Sequence, residues 1–140
     1  EDRVARRSAH EDLIQTTLES HDVEVIVLSG WMRLLTAAFV ERWQGRLVNI
    51  HPSLLPDFPG AHAHRDVLEA GVTESGCTVH FVDAGMDTGP IIAQAAVAVL
   101  RDDDIASLAA RVKTEEHRLY PRVLDALASG AISFDAPLLT

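Results

Sequence analysis

From Ser8 to Ser20 the apolar positions Leu13, Ile14 and Leu18 recur at helical spacing, with Ala9 one turn earlier and His21-Asp22 closing the segment. That pattern predicts a surface helix. Val23-Glu24-Val25-Ile26-Val27-Leu28 is a β-branched run ended by Ser29-Gly30, as expected of a strand covered on both faces in a parallel sheet. A short helix should follow, burying Ala37, Ala38, Phe39, Val40 and Trp43, and Arg46-Leu47-Val48-Asn49-Ile50 reads as a second such strand. Strand, helix, strand at this length implies a right-handed parallel crossover and an α/β class. Three prolines and a glycine in His51-Pro52-Ser53-Leu54-Leu55-Pro56-Asp57-Phe58-Pro59-Gly60 forbid regular structure while fixing the backbone path. Beyond that loop, His62 to Ala70 predicts a helix closed by Gly71. Gly76 to Val82 and Ile91 to Val99 predict two strands joined by the Gly-rich turn Asp83-Ala84-Gly85-Met86-Asp87-Thr88-Gly89-Pro90, and so paired antiparallel. The last helix should run from about Asp104 to Ala128, kinked or interrupted by Pro121, with Ala131-Ile132-Ser133-Phe134 adding an edge strand.

At 140 residues and 47% hydrophobic, the chain holds one domain's worth of core, which excludes intrinsic disorder. Twelve Lys and Arg against 21 Asp and Glu give a formal net charge of -9, a field that repels phosphate backbones and anionic lipid and excludes a general nucleic-acid or membrane-surface binder. The single cysteine, Cys77, leaves no internal disulfide. With no apolar run of membrane-spanning length, the expectation is a soluble, reducing, cytoplasmic setting. The chain begins at Glu1 inside a charged helical pattern, so its start is expected to differ from that of the gene product.

Asn49 and His51 stand two apart at the end of a predicted parallel strand, so their side chains leave the same face. Ligands of open α/β sheets bind outside such carboxyl ends. A carboxamide can donate a hydrogen bond to a developing oxyanion, and an imidazole can move a proton near neutral pH. Asp87, in the turn before Gly89-Pro90, would face the imidazole if the two loops converge; a carboxylate beside a histidine raises its pKa and orients the ring. Taken singly, these features are also ordinary surface or turn residues. His51, His62 and His64 could supply a three-histidine metal site, although i and i+2 diverge on a helix. His80 alternates with Phe81 and reads as structural or lining, while His10, His21 and His117 read as solvated. Asp102-Asp103-Asp104 reads as a helix N-cap with dipole-favoured charge, and Cys77 as a small buried hydrophobe.

Three linked strings carry a resemblance: Asn49-Ile50-His51-Pro52-Ser53-Leu54-Leu55-Pro56, Phe58-Pro59-Gly60-Ala61-His62-Ala63-His64-Arg65, and Met86-Asp87-Thr88-Gly89-Pro90-Ile91-Ile92. The chain resembles the folate-dependent formyltransferases over nearly its whole length, and within them the branch acting on phosphoribosylglycinamide in purine biosynthesis. The resemblance implies a Rossmann-like fold with a mainly parallel twisted sheet, an antiparallel C-terminal portion and flanking helices. It implies direct transfer of the formyl group of 10-formyltetrahydrofolate, as co-substrate, to a primary amine without a metal. In its terms His51 is the general acid/base, Asn49 stabilises the tetrahedral oxyanion, and Asp87 raises the histidine's pKa and places a proton-shuttling water. Folate would contact Met32, Arg33, Leu34, Leu35, Asn49 and the loop Asp83, Ala84, Gly85, Met86, Asp87. Arg33 would pair with the glutamate tail, and Arg7 is a second candidate for that pairing. Glycinamide ribonucleotide would lie against Lys113, Thr114, Glu115 and Glu116, with Glu116 the leading contact.

The family's opening strand and Gly-Ser-Asn phosphate loop have no counterpart here. Residues 1–140 are therefore expected to form a single domain that is the central and C-terminal part of a formyltransferase domain, truncated at its N-terminus and lacking the phosphate cradle. A free parallel strand edge makes a homodimer one expectation. The alternatives are hydrolysis of formyltetrahydrofolate, methionyl-tRNA formylation, and a non-catalytic folate-binding fragment. Hydrolases of the superfamily carry His-His-Ser-Phe-Leu-Pro where this chain has His51-Pro52-Ser53-Leu54-Leu55-Pro56, and the tRNA enzymes carry Gly-Ala-Ala-Pro where it has Gly60-Ala61-His62-Ala63.

Overall fold

The computed structural model describes residues 2–31 and 34–139. Eight elements follow one another: α1 (Asp2–Ser20), β1 (Ile26–Leu28), α2 (Ala37–Arg42), β2 (Leu47–His51), α3 (Ala63–Ala70), β3 (Glu74–Phe81), β4 (Ile91–Ala98) and α4 (Ile105–Ser129). The four strands form one sheet in the order β1-β2-β3-β4. β1 and β2 are parallel, and the other two ladders are antiparallel. The sheet is thus mixed, its parallel part confined to one pair. The strand over Val23–Leu28 shortens to Ile26–Leu28 at the sheet edge. There Val27 is 43% exposed, so the double coverage that a β-branched run predicts is only partial.

The main core lies between the sheet and α4. Val48, Val79, Phe81 and Ile92 from the strands meet Leu108, Val112, Leu119 and Val123 of the helix. Asp104 caps α4 by accepting from the Ser107 amide, and the Ser107 hydroxyl accepts from the Asp104 amide in return. That reciprocal box satisfies two donors a helix start otherwise leaves open. Asp103 forms a two-pronged ion pair with Arg111, and hydrogen bonding from that guanidinium holds its carboxyl well below the usual range. Pro121 does not end the helix, which continues to Ser129. Its cost of one backbone bond is outweighed by burial of Leu119 and Val123 on either side. The Tyr120 hydroxyl adds a bond to the Leu28 carbonyl. The strand expected over Ala131–Phe134 does not form. Ser133 and Ala136 close a turn on each other, while Ile132 is buried and Phe134 packs edge-on to Phe81.

A second cluster joins Phe39, Val40, Trp43 and Leu47 to Ile14 and Leu18 of α1. Helical spacing put Leu13 on this face, yet Leu13 is 70% exposed and Glu11 and Gln15 are buried in its place. The inner stripe is polar because α2 supplies its partners. The Thr36 amide and hydroxyl donate to the Glu11 carboxylate, and the Trp43 indole donates to Gln15 Oε1 at 2.7 Å. Buried polar groups so paired cost little to desolvate.

Candidate active site

β2 places the chemistry. In its extended backbone Asn49 and His51 leave one face, and the register sets Asn49 opposite His80 and His51 opposite Thr78 on β3. Past the C-terminal end of β2 the proline-rich loop turns back. The β3–β4 turn meets it from the other side, and the Gly60 amide donates to Asp87 Oδ2 at 2.9 Å. This bond joins the two loops. It brings Asp87 Oδ2 to 3.5 Å from His51 Nδ1 and Asp87 Oδ1 to 3.9 Å from His80 Nε2. Asp87 itself is left-handed, at φ 56°, a conformation aspartate adopts more readily than most residues.

These groups meet at a cavity of about 450 Å³. It is lined by Leu34, Leu35 and the loop Asp83 to Met86, and also by Lys113 and Glu116 of α4. Asn49, His51, Leu34, Leu35, Asp83, Ala84, Gly85, Met86, Asp87, Lys113 and Glu116 are thus brought together, as the sequence expectation required of a common site. Met32 and Arg33 lie outside the described residues. Arg7, Thr114 and Glu115 do not line the cavity: Arg7 is on α1, the Thr114 hydroxyl bonds back to the Ala110 carbonyl, and Glu115 pairs with Arg118. Residues 113 and 116, three apart, share one helix face, whereas 114 and 115 turn away.

Two further histidines line the cavity: His80, which the sequence read as structural or lining, and His64, which it read as a candidate metal ligand. His80 is 2% exposed, its Nδ1 lies 2.9 Å from the Phe81 carbonyl, and burial lowers its pKa against the opposing pull of that bond and of Asp87. His64 is lowered too, first by burial and then by the charge of His51. Both rings therefore favour the neutral state. Alternation of His80 with apolar residues was a core signature; its functional neighbour, Asp87, lies across a turn and leaves no local trace in the sequence. No group of three or more His, Cys, Asp or Glu side chains among the described residues is placed to hold a metal, so His51, His62 and His64 do not assemble into a three-histidine site.

Burial raises the Glu116 pKa, with Lys113, His117 and His51 pulling the other way. Burial likewise pushes the Cys77 thiol up to about 12, which keeps it an unreactive part of the core. The sign for Glu116 is opposite to that of a paired carboxylate. Its folded pKa lies above its unfolded one, so the ionised group opposes folding at neutral pH, and this cost fades as pH falls and the folded state binds the proton first. Glu116→Gln is accordingly expected to raise Tm by a few degrees at neutral pH, by an increment that shrinks on acidification, in a calorimetric pH series. A constant or reversed increment would count against a desolvated carboxylate here.

A family model described as formyl transferase matches residues 1–124. The chain belongs to the formyl transferase family. Among its relatives is the phosphoribosylglycinamide formyltransferase of Escherichia coli (strain K12), 45% identical over 126 residues, which are 90% of this chain and 59% of that protein. The trifunctional purine biosynthetic protein adenosine-3 of Drosophila melanogaster is 53% identical over 126 residues, 90% of this chain and 9% of that protein. The crystal structure of glycinamide ribonucleotide transformylase 1 from Symbiobacterium toebii superposes with a TM-score of 0.90 at 44% identity, covering 94% of this chain and 62% of that one. This formyl transferase chain therefore spans less than two thirds of each of these relatives. Among its described residues no helix is long and apolar enough to cross a membrane.

Proposed function

We propose that this chain transfers the formyl group of 10-formyltetrahydrofolate to the primary amine of phosphoribosylglycinamide, a step of purine biosynthesis. The observation that carries the reading is the meeting of Asn49, His51 and Asp87 in one cavity whose lining holds groups suited to two different ligands. The lining by Leu34, Leu35 and the backbone of Asp83 to Met86 suits a flat heteroaromatic ring, which leucines can sandwich while peptide groups read its polar edge. Lys113 and Glu116, which also line it, offer a cation and an acceptor suited to an amine-bearing polar substrate. Relatives at 45% identity named for this reaction add to the reading.

The chemistry proposed is addition and elimination. The amine nitrogen attacks the formyl carbon, forming the new C–N bond and placing charge on the formyl oxygen, to which the Asn49 carboxamide donates. One proton leaves the attacking nitrogen, and one reaches the folate nitrogen as its C–N bond breaks. His51 can serve both transfers, as base and then as acid. Asp87 beside Nδ1 orients the ring. A deeply buried base of this kind acts on an amine without competition from bulk water.

The test is a product assay: this chain, 10-formyltetrahydrofolate and phosphoribosylglycinamide, with mass detection of the formylated amide and of formate. Formylated product is the expected result. Formate without it would place the chain with formyltetrahydrofolate hydrolysis, and binding of a folate analogue with neither product would leave a folate-binding module.

A further inference from the structure

His51 is flanked by two acceptors. Nδ1 faces Asp87, and Nε2 lies 2.9 Å from the Phe58 carbonyl, seven residues along the loop. A neutral imidazole carries one N–H and both partners can only accept, but the Phe58 carbonyl stands at hydrogen-bond distance, 2.9 Å, and the Asp87 carboxylate farther off, at 3.5 Å, so the shorter contact assigns that hydrogen to Nε2. The exchangeable position is then Nδ1, the nitrogen on the carboxylate side. What holds the Phe58 carbonyl in place therefore decides which nitrogen of His51 is free to exchange.

Phe58 sits at φ 53°, a left-handed conformation unfavourable for a bulky side chain and one that persists only where the surroundings over-determine it. Its side chain packs against the main core, and its carbonyl is held by a buried hydroxyl. Ser53, fully buried, points its Oγ at two consecutive carbonyls, Asp57 at 2.6 Å and Phe58 at 3.1 Å. Its own carbonyl accepts from the Thr78 hydroxyl at 2.7 Å, and Thr78 Oγ1 in turn accepts from the Leu55 amide. Thr78 stands opposite His51 in the β2–β3 ladder. The loop is in this way pinned to the same rung of the sheet as the histidine, and Ser53 carries the pin forward to the carbonyl that contacts the ring.

We propose that Ser53 is a positioning residue for His51: through the Phe58 carbonyl it keeps the Nε2–H tautomer and leaves Nδ1 as the nitrogen that exchanges protons. The role in turnover rests on the formyl-transfer reading; the tautomer does not. Ring-nitrogen NMR of the full chain labelled with ¹⁵N-histidine tests both parts, with His51 assigned by its loss in His51→Ala. In alkaline buffer, with the imidazole neutral, the wild type is expected to show His51 protonated at Nε2, its N–H protected from exchange. A wild-type ring protonated at Nδ1, or averaging between nitrogens, overturns the proposal whatever the fate of any variant. In Ser53→Ala the His51 signals are expected to move toward the averaged position, with kcat for formyl transfer down about 10-fold to 100-fold and the KM for folate within a factor of two. A merely structural serine would lower Tm yet leave the tautomer and the kcat of the folded fraction unchanged, and that result overturns it too. Formyl transfer missing from the wild type would refute the function reading, while the tautomer seen by NMR would still decide the role of Ser53.

Discussion

His51→Ala is expected to lower kcat for formyl transfer by about two to four orders of magnitude while leaving the affinity for a folate analogue within a few-fold. The size follows from the position of the ring. It is 5% exposed and 3.5 Å from Asp87, and it is separate in the chain from the leucines and backbone groups that would hold the pteridine. An alanine there removes the only group on β2 that can take up and return a proton in the neutral range. It leaves Leu34, Leu35 and the Asp83 to Met86 loop untouched. Steady-state kinetics paired with a fluorescence titration of the analogue would read the two effects separately. A large loss of affinity with normal turnover would show His51 to be a binding residue and remove it from the proton path. The same variant also frees the Phe58 carbonyl, so a modest fall in Tm is expected alongside.

How much of this could be read from the chain depended on whether the decisive partner was near in sequence. Asn49 and His51 were legible because a strand's two-residue alternation fixes their common face. The antiparallel β3–β4 pair was legible from its short Gly-rich turn. The capping aspartates before α4 stood next to the helix they serve. Where the partner lay far away, the pattern misled. Leu13 fits a helical stripe, but Thr36 and Trp43 claim Glu11 and Gln15 for the buried face. Pro121 reads as a break, yet packing of α4 over the sheet carries the helix through it. Ser53 received no role of its own and His80 read as structural or lining, because the groups they meet, the Phe58 carbonyl and Asp87, lie outside their own strand pattern. The convergence of Asp87 on His51 follows from no spacing rule, since it needs the Gly60–Asp87 bond between two irregular loops; family resemblance supplied what periodicity could not.

That bond depends on a residue whose importance is entirely backbone. Gly89 lies at the end of the β3–β4 turn, where the chain passes directly over β3 before the Pro90 carbonyl accepts from the Phe81 amide at 2.9 Å. A Cβ at this position would overlap the Phe81 carbonyl oxygen and lie 3.2 Å from the Asp83 amide nitrogen. Neither neighbour is a flexible side-chain end. Relief would require the turn to lift off β3, breaking the Phe81–Pro90 bond and displacing Asp87 two residues away. Gly89→Ala is therefore expected to cost about 3 kcal/mol or more, the upper end for overpacking a site that cannot yield. Much of a domain's total stability is of that order. Gly71→Ala provides the contrast. Gly71 is left-handed at φ 70° as the C-cap of α3, but nothing lies within 4 Å of the added methyl, so only the conformational penalty of about 1–2 kcal/mol applies. Urea titrations of the two variants beside the wild type would separate steric overlap from backbone preference. If Gly89→Ala proved no more costly than Gly71→Ala, the turn would have slack, and the rigid placement of Asp87 against His51 would lose its main support. If the cost is as large as expected, whatever folded Gly89→Ala survives should also show reduced kcat with little change in folate affinity, because the carboxylate rather than the cavity has moved.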